Sequence, residues 1–487
     1  MINKQNANDI VVSNAKKLNT RFRLGYHFMP ESGWMNDPNG FIFFDGYYHL
    51  FFQHHPFDSS KGKMHWGHAR SRDLLHWEYL KIALYPDQDY DKDGCYSGSA
   101  ISINNKLYLI YTGHRLNENA KNKKDFKENQ NIAVSKDGIN FHKISKNPII
   151  KNPPKDCGNN FRDPKVWKFN EVFFMVIGTD SIDKKGKCVL YQSTNLYEWT
   201  YVGVLAGPED ALGYMWECPD FFKINNTDVL LFSPQGVTSQ GDLYVNEFQT
   251  GYFLGQMDYQ TMKYVHSDFF ELDFGHDFYA PQTTLSSTGK RVLIAWMNMW
   301  HSEMPEQSDG WYGAMTIPRE LYVNNNKLCM KPIENFTDMR LDHIFSKKNF
   351  TLTNNYLSIN YPGVKPHLEV DLTISKRSSG TFGLSITDDV TSITAFYDYT
   401  KKKFVVNRLG DIRQRELLFE NKLQILFFVD TSSIEVFLNN GEQTYTSRYY
   451  CNNKPNITIF DTSNAIVSMD IYSLKSPFSR NQTKRGR

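Results

Sequence analysis

The chain has 487 residues, of which 40% are hydrophobic and 22% are charged, as in a globular protein that can bury a large core. Its net charge of +2 excludes the strong basic field that would attract nucleic acid or an anionic membrane. Phe, Tyr and Trp make up 15% of the residues, and these side chains fill β-structures and stack on sugar rings. We therefore expect a small-molecule partner.

The cysteines and the N-terminal region indicate where the protein works. Six cysteines are scattered without a CxxC pair, which favours reduced thiols over a disulfide framework or a zinc site. Residues 1–24, interpreted as an N-terminal extension, contain no apolar stretch of signal-peptide length, and no apolar run approaches the roughly 18 residues of a membrane helix. We expect a cytoplasmic monomer or homodimer without membrane contact. The basic segment 479–487 is interpreted as a solvated tail.

A repeat of roughly sixty residues runs through residues 25–330. Five aromatic and β-branched segments return at this interval and predict buried strands. A second series, SRDLLHW, SKDGINF and STNLYEW, keeps the same register. Because this period accommodates four short strands and their turns, residues 25–330 are predicted to form a five-bladed β-propeller. The five segments are YYHLFFQ from Tyr47, KLYLIYTG from Lys106, EVFFMVIG from Glu171, DVLLFSPQ from Asp228 and RVLIAWMN from Arg291.

Beyond the repeat the pattern changes. Residues 331–349 are predicted to be a linker, with a short helix in MRLDHIFSKKNF, residues 339–350. Residues 350–478 contain alternating segments such as TAFYDYTKKKFVVNR and a hairpin signal at Asn439-Asn440-Gly441, which together predict a β-sandwich. The predicted fold class is therefore all-β, a five-bladed propeller followed by a C-terminal sandwich.

A polar cluster precedes each aromatic segment. The first, GWMNDPNG at residues 33–40, places Asp37 in a string of turn-forming residues. Since equivalent positions of successive blades converge on the propeller axis, the five clusters should line one funnel. The clusters are Asn36-Asp37-Pro38, Tyr96-Ser97-Gly98-Ser99, Arg162-Asp163-Pro164, Glu217-Cys218-Pro219 and Asp277-Phe278-Tyr279-Ala280-Pro281-Gln282.

Three acids, Asp37, Asp163 and Glu217, are thus predicted to meet in the funnel. Carboxylates in a pocket are the first candidates for acid/base chemistry. Two chemistries fit them: glycoside hydrolysis by a carboxylate pair with aromatic walls for the sugar, or binding of a hard cation such as Ca²⁺. The aromatic side chains expected around the funnel are Trp34, Tyr96, Trp216 and Trp296.

The polar clusters also carry a resemblance to a known family. WMNDPNG, GCYSGSA, FRDPKVW, MWECPDFF and DFYAPQ resemble, in order and spacing, the motifs of glycoside hydrolase family 32, the β-fructofuranosidases. MHWGHARSRDLLHW, DKDGCYSGSAI and LLFSPQG look most like the bacterial sucrose-6-phosphate hydrolases within it. The resemblance covers nearly the whole chain and implies the propeller and sandwich. It also implies retaining hydrolysis of β-D-fructofuranosides, first of all sucrose 6-phosphate, to glucose 6-phosphate and fructose.

The same resemblance implies residue roles. It assigns Asp37 as the nucleophile, Glu217 as the general acid/base and Asp163, beside Arg162, as the residue that holds the fructose hydroxyls. In a retaining mechanism the two catalytic carboxyl groups lie about 5 to 5.5 Å apart. Sugar contacts are expected from the matched residues Asn36, Gln53, Tyr96, Ser97 and Trp296 and from the funnel residues Trp34, Arg162, Cys218 and Tyr279.

Lys61, in DSSKGKMHWG, departs from the family, which commonly has a Trp at this position. The departure removes one aromatic wall of the pocket unless Trp66 or Trp34 fills the space. A lysine can bind phosphate as a point charge, so we expect Lys61 to recognise the phosphate of the substrate, with Lys63 and Arg115 as the next candidates. The alternative is that Lys61 is a solvated loop residue.

A metal site and a thiol nucleophile are the competing chemistries. His54-His55 and His65-x-x-His68 suggest zinc, but no Glu or Cys accompanies them at a zinc-motif spacing, so we expect no metal and no cofactor. Cys218 has no His in a recognisable partner motif and is interpreted as a packed thiol that supports Glu217.

Other functions remain open from sequence. A sucrose invertase or a fructan hydrolase would show no preference for the phosphorylated sugar. A fructan-forming transfer enzyme would be recognised by its products at high sucrose concentration. A non-catalytic sugar-binding propeller would keep the aromatics without needing three acids in register, and it would release no fructose from sucrose.

Overall fold

The computed structural model describes residues 4–118 and 125–478, and the predicted tail, 479–487, lies outside them. The described chain is mostly β, which confirms the predicted class, and begins with one α-helix, Lys4–Ala15, in the predicted N-terminal extension. None of its helices has the length and apolar character needed to cross a membrane. Four short 3₁₀ helices lie at Asp89–Asp91, Pro305–Asp309, Glu334–Met339 and Thr353–Asn355.

Five sheets of four main strands, numbered 1 to 5 in chain order, follow one another along the repeat. The first strand of each sheet carries a polar cluster and the second carries the predicted aromatic segment. Two short strands, Phe270–Glu271 and Trp311–Tyr312, add to sheets 4 and 1. The main strands are, in sheet 1, Gly33–Phe44, Tyr47–His55, His65–Ser71 and Trp77–Tyr79; in sheet 2, Gly94–Ile103, Lys106–Leu116, Phe126–Ser135 and His142–Lys143; in sheet 3, Cys157–Phe169, Val172–Ser181, Gly186–Ser193 and Thr200–Ala206; in sheet 4, Met215–Ile224, Thr227–Gln235, Gly251–Asp258 and Lys263–His266; and in sheet 5, Tyr279–Leu285, Arg291–Trp296, Arg319–Asn324 and Lys327–Pro332.

The second repeated series forms the turn after the third strand in sheets 1 to 3. In sheet 1 the Ser71 hydroxyl accepts a hydrogen bond from the Leu74 backbone N–H at 2.8 Å, and the Trp77 indole donates to the Leu74 carbonyl at 3.0 Å. Sheet 3 repeats both bonds with STNLYEW, where the Trp199 indole donates to the Leu196 carbonyl at 2.7 Å. The repeated Ser and Trp are therefore turn residues, not site residues.

Apolar side chains pack in a separate cluster between each sheet and the next, including between sheet 5 and sheet 1. In sheet 4, Leu230 and Phe232 face sheet 3, whereas Val229 and Leu231 face sheet 5. The second strands are thus buried on both faces, which explains their continuous apolar sequences. The first strands contact one another in succession, and that of sheet 5 contacts that of sheet 1.

Sheets 6 and 7 each have six strands and enclose one apolar core, so the whole matches a β-propeller followed by a β-sandwich. The predicted turn at Asn439-Asn440-Gly441 joins two strands of sheet 6 and is confirmed. In spatial order, sheet 6 contains Arg340–Phe350, Val467–Leu474, Leu368–Ser375, Lys422–Asp430, Ser433–Leu438 and Gln443–Arg448, and sheet 7 contains Tyr356–Ser358, Asn456–Asp461, Thr381–Thr387, Ser392–Asp398, Lys403–Arg408 and Asp411–Glu416.

The helix predicted within residues 339–350 is wrong. Arg340–Phe350 is the edge strand of sheet 6, paired with Val467–Leu474, and the helical turn, Glu334–Met339, precedes it. Because an edge strand has solvent on one side, its polar composition hides the strand pattern, and its lysines oppose pairing with another chain. Residues 340–349 of the predicted linker therefore belong to sheet 6.

A buried charge network joins sheet 5 to sheet 6. Arg319 donates to Asp273 at 3.0 Å and also pairs with Glu435, and all three side chains are fully buried. His27 lies between Glu435 and Asp430, with its ring nitrogens 2.6 and 2.7 Å from their carboxylate oxygens. Here one guanidinium and one imidazole serve three carboxylates.

We predict that Arg319→Met lowers the free energy of unfolding by about 3–5 kcal/mol, because it removes the guanidinium from two buried carboxylates and leaves Glu435 paired with His27. Urea denaturation measures the effect. Lys327→Met is the matched control, since Lys327 and Glu442 connect the same two sheets at 3.2 Å through a solvent-exposed pair. Its removal should cost about 0–1 kcal/mol. Equal losses in the two variants would contradict the buried network.

Candidate active site

Each of the five first strands is bulged at its polar cluster, because its pairing with the second strand shifts register there. Asp163, Cys218 and Ala280, each followed by proline, have positive φ values of 63°, 49° and 50°. Such values are uncommon for residues other than glycine. Bulges re-aim side chains and are frequent beside active sites.

One set of site contacts joins Asp37, Ser97, Asp163 and Cys218. The Ser97 hydroxyl donates to Asp37 Oδ2 at 3.0 Å, and the Cys218 backbone N–H donates to Asp163 Oδ2 at 2.9 Å. Cys218 Sγ lies 3.9 Å from Asp37 Oδ2 and 3.6 Å from Asp163 Oδ2. The thiol therefore lies between the two acids.

A second set joins Arg162, Glu217 and Tyr279. Arg162 Nε and Nη2 donate to Glu217 Oε1 at 2.9 and 2.6 Å, and the Tyr279 hydroxyl donates to Glu217 Oε2 at 2.6 Å. Both oxygens of Glu217 are thus held, one from sheet 3 and the other from sheet 5. The three side chains come from equivalent positions, each one residue before a positive-φ bulge residue.

This arrangement corrects the register expected from spacing. The spacing aligned Glu217 with Asp163, but Cys218 is the structural counterpart of Asp163 in sheet 4. Glu217 instead corresponds to Arg162. Because of this offset of one residue, the Glu217 carboxylate contacts the Arg162 guanidinium, while Cys218 lies beside Asp37 and Asp163. The prolines that follow the bulge residues are the signal that could have given the correct register.

Glu128 and His114 are site neighbours that the sequence did not reveal. Arg162 Nη1 donates to Asn160 Oδ1 at 2.7 Å and lies 3.4 Å from Glu128 Oε2. Glu128 also accepts from the Phe161 backbone N–H at 2.8 Å, and His114 Nδ1 lies 3.3 Å from its other oxygen. The signal was the polar run ENQN within a strand that is buried on both sides.

Burial raises the pKa of Asp37 from its usual value to about 6, and the charge of Glu217 adds to the rise. Hydrogen bonds from Asn36 and Ser97 and the Lys61 ammonium act in the opposite direction. Burial is also the main cause of the raised pKa of Asp163, where the Arg162 charge opposes it. Asp37 is therefore ionised at neutral pH and becomes protonated in mild acid.

The Cys218 thiol is protonated. Burial, with the nearby charges of Asp163 and Asp37, holds its pKa well above the usual range. A thiol reacts as a nucleophile only as the thiolate. The geometry therefore favours a packed thiol that donates toward the acids.

An aromatic wall leads from the acids to Lys61. The rings of Trp34 and Tyr312 stack with centroids 3.7 Å apart, and the Trp300 ring centroid lies 6.2 Å from that of Trp34. Lys61 Nζ lies 3.9 Å from the Trp300 ring centroid. Trp300 therefore lies between Trp34 and the Lys61 ammonium in this chain of contacts. Trp300 was not recognised in sequence, although it is a lone Trp in the polar segment after the last aromatic strand.

The other predicted sugar contacts differ in accessibility. Asn36 accepts from the Trp34 indole at 2.8 Å, and Tyr96 stacks on His114 at 4.2 Å. Gln53 is buried and donates to the Cys95 carbonyl at 3.1 Å, and Trp296 is fully buried. Asn36, Gln53 and Trp296 are therefore buried, whereas Tyr96 is partly exposed.

Trp66, Lys63 and Arg115, the other candidates for the aromatic wall and the phosphate contact, form contacts of their own. Trp66 is fully buried, with its indole donating to the Tyr96 carbonyl at 3.1 Å, so it packs behind the site. Lys63 lies 3.5 Å from Asp93, and Arg115 donates to Asp89 at 2.6 Å.

The histidines that suggested zinc make other contacts. His54 Nδ1 lies 2.8 Å from the Trp34 carbonyl, His65 Nδ1 lies 3.0 Å from the Lys63 carbonyl, and His68 pairs with the ring of His49. Within residues 4–118 and 125–478, no group of three or more His, Cys, Asp or Glu side chains is arranged to hold a metal ion.

Comparison with known proteins identifies the family. Residues 27–332 match the N-terminal domain of glycosyl hydrolases family 32, and residues 340–473 match its C-terminal domain. The chain belongs to glycoside hydrolase family 32. The resemblance of the motifs is thereby confirmed, and this family 32 chain is a glycoside hydrolase.

Its relatives extend over most of its length. A sucrose-6-phosphate hydrolase of Escherichia coli is 40% identical over 87% of this chain and 88% of that protein. A raffinose invertase of Escherichia coli is 39% identical over 90% of this chain and 91% of that protein. Among solved structures, a GH32 β-fructofuranosidase of Bombyx mori aligns with a TM-score of 0.88 and 35% identity, covering 97% of this chain and 98% of that one.

Cys218→Ser tests the role of the thiol in this family 32 enzyme. The serine hydroxyl can still donate toward the acids, so kcat should remain within about tenfold of the parent, whereas Cys218→Ala should lose about 10- to 100-fold because a hydrogen bond to a charged group disappears. Steady-state hydrolysis of sucrose measures both variants. Loss of all activity in Cys218→Ser would instead indicate a thiol nucleophile.

Proposed function

We propose that this family 32 enzyme is a retaining β-fructofuranosidase that hydrolyses sucrose 6-phosphate to glucose 6-phosphate and fructose. The observation that carries the proposal is the meeting of Asp37, Asp163 and Glu217, from three different sheets, around the Cys218 thiol and the Arg162 guanidinium. Two carboxyl groups that serve as nucleophile and acid/base are what retaining hydrolysis requires. The relatives named for sucrose 6-phosphate and invertase activity support the same reaction.

We infer that sheets 1 to 5 close into a five-bladed propeller. The contact between the first strands of sheets 5 and 1 supports closure, as does the pairing of Trp311–Tyr312 with the first strand of sheet 1. The separate matches of residues 27–332 and 340–473 support a division into a propeller domain and a sandwich domain. Closure brings the five bulged clusters around one axis.

In the first step Asp37 attacks the anomeric carbon of the fructosyl group while Glu217 gives its proton to the glycosidic oxygen. The glycosidic bond breaks, glucose 6-phosphate leaves, and fructose is held as an ester of Asp37. Asp37 Oδ1 accepts no hydrogen bond from the described residues, whereas Oδ2 is held by Ser97.

In the second step Glu217, now a carboxylate, takes a proton from water as the water attacks the same carbon. Fructose leaves and Asp37 is regenerated. The two hydrogen bonds from Arg162 hold Oε1 of Glu217 in a fixed position. Asp163 is assigned to the fructose hydroxyls, where its contact with the Cys218 backbone fixes its orientation.

Lys61 is the proposed phosphate contact. Its ammonium lies above the Trp300 ring, and it is close enough to Asp37 to affect the pKa of that acid. The phosphate of sucrose 6-phosphate is on the glucosyl group, which is the leaving group of the first step. A phosphorylated substrate and the unpaired state of all six cysteines support a cytoplasmic location.

Leaving-group dependence tests the roles of the two acids. Glu217→Gln should lower kcat for sucrose by about 10²- to 10⁴-fold, because the sugar leaving group needs a proton. An aryl β-fructofuranoside with an activated leaving group should lose much less. Asp37→Asn, which removes the nucleophile, is the matched variant and should lose activity on both substrates. Equal losses on both substrates in Glu217→Gln would count against its role as the acid.

Phosphate recognition is tested by kcat/KM for sucrose 6-phosphate and sucrose. A charge-assisted contact corresponds to a preference of roughly 10- to 150-fold for the phosphorylated sugar, which Lys61→Ala should abolish while activity on sucrose remains. Lys63→Ala is the control and should keep the preference.

Two outcomes contradict this part of the proposal. A parent enzyme without the preference would be a sucrose invertase, as the name of the raffinose invertase relative suggests. A preference that survives in Lys61→Ala would assign phosphate recognition to another residue.

A further inference from the structure

The C-terminal sandwich forms hydrogen bonds with Asp277, two residues before Tyr279. Asp277 Oδ2 accepts from Arg408 Nη1 at 2.7 Å and from the Arg448 backbone N–H at 2.7 Å. The Asp277 backbone N–H donates to the Thr446 carbonyl at 3.0 Å. A loop of the propeller domain is thus bonded to two strands of the sandwich, one in sheet 6 and one in sheet 7.

The contacts around Asp277 are largely buried. Asp277 and Arg448 are fully buried, and the Arg408 side chain is 21% exposed. The preceding residue, His276, is also held, because its Nδ1 lies 2.8 Å from the Ser447 hydroxyl. Two consecutive residues before the first strand of sheet 5 are therefore fixed to the sandwich.

Tyr279 connects this loop to Glu217, the proposed acid/base. It is fully buried and begins the first strand of sheet 5, and its hydroxyl donates to Glu217 Oε2 at 2.6 Å. The ring leaves little room to adjust, since it packs edge-on against Phe248 and Trp296. A shift of Asp277 would therefore move the hydroxyl relative to Glu217.

We propose that Arg408 and Asp277 are positioning residues for Glu217, through which the sandwich sets the Tyr279 hydroxyl. The inference rests on the proposed acid/base role of Glu217. It makes the sandwich part of the apparatus that aligns the proton donor, although neither Arg408 nor Asp277 contacts Glu217. Misplacement of a catalytic group by about 1 Å can cost about a hundredfold in rate, so a remote anchor can matter.

The substitution Arg408→Ala separates positioning from simple stabilisation. A loosened Tyr279 should impair proton donation, so kcat for sucrose should fall by about 10- to 100-fold, with little change in KM. The aryl β-fructofuranoside should lose less than about threefold, because it needs little proton donation. Arg408→Lys, which keeps a cationic donor, should restore most of the activity on sucrose.

A double-mutant cycle decides whether Arg408 acts through Tyr279. Tyr279→Phe removes the hydroxyl, and adding Arg408→Ala to it should then cause no further loss on sucrose. Gln414→Ala is the matched control, because Gln414 donates to Asp242 across the same domain boundary at 2.8 Å, without a contact to Asp277. It should keep the parent rate on both substrates. If Arg408→Ala does not fold, Arg408→Gln, which keeps an N–H donor near Asp277, takes its place in the cycle.

Additive losses in the cycle, or equal losses on the two substrates, would overturn the positioning role. Failure of the proposed function is seen separately, as equal losses on the two substrates in Glu217→Gln. In that event the cycle still decides whether Arg408 and Tyr279 act as one unit.

Discussion

The site depends on placing several carboxylates together in a buried space. Desolvation and mutual repulsion oppose this, and both raise the pKa of Asp37. A few hydrogen-bond donors offset these costs. The Arg162 guanidinium lies between Glu217 and Glu128, the Cys218 backbone N–H donates to Asp163, and the Ser97 hydroxyl donates to Asp37. The Arg162 guanidinium donates two hydrogen bonds to Glu217. Asp37 Oδ2 accepts a hydrogen bond from Ser97 and Oδ1 has no partner among the described residues, so these chemically similar acids have different surroundings.

The backbone makes this distribution possible. A regular strand would alternate its side chains between two faces, and successive residues could not both serve the site. The bulge at each cluster breaks the alternation, so that Glu217 joins Arg162 and Tyr279 while Cys218 joins Asp37 and Asp163. The positive φ at Cys218 is a local strain that the surrounding sheets maintain. Strain of this kind is tolerated where the geometry of a site requires it.

Much of this could be predicted from the sequence, because a repeat shows equivalent positions without a structure. The aromatic segments and polar clusters gave the second and first strands of sheets 1 to 5, and the three acids were selected as a set. The bulge register, the Glu128 contact and the edge strand Arg340–Phe350 were missed. The edge strand depends on its partner strand rather than on local pattern, whereas the bulge register and Glu128 had local signals in the prolines and in the polar run ENQN. Trp300 was missed because a loop has no periodicity that relates it to Trp34.

The boundary between the two domains, like the site, is held by charge pairs with particular distances. An apolar boundary would add stability, but apolar contacts are non-directional and tolerate small shifts. Buried charge pairs need particular distances, so Arg319 with Glu435 and Arg408 with Asp277 allow few relative positions of sheet 5 and the sandwich. Tyr279 starts the first strand of sheet 5, two residues after Asp277. The charged boundary therefore fixes the strand whose Tyr279 hydroxyl donates to Glu217, and under the proposed acid/base role of Glu217 the sandwich is the reference against which that carboxyl group is aligned.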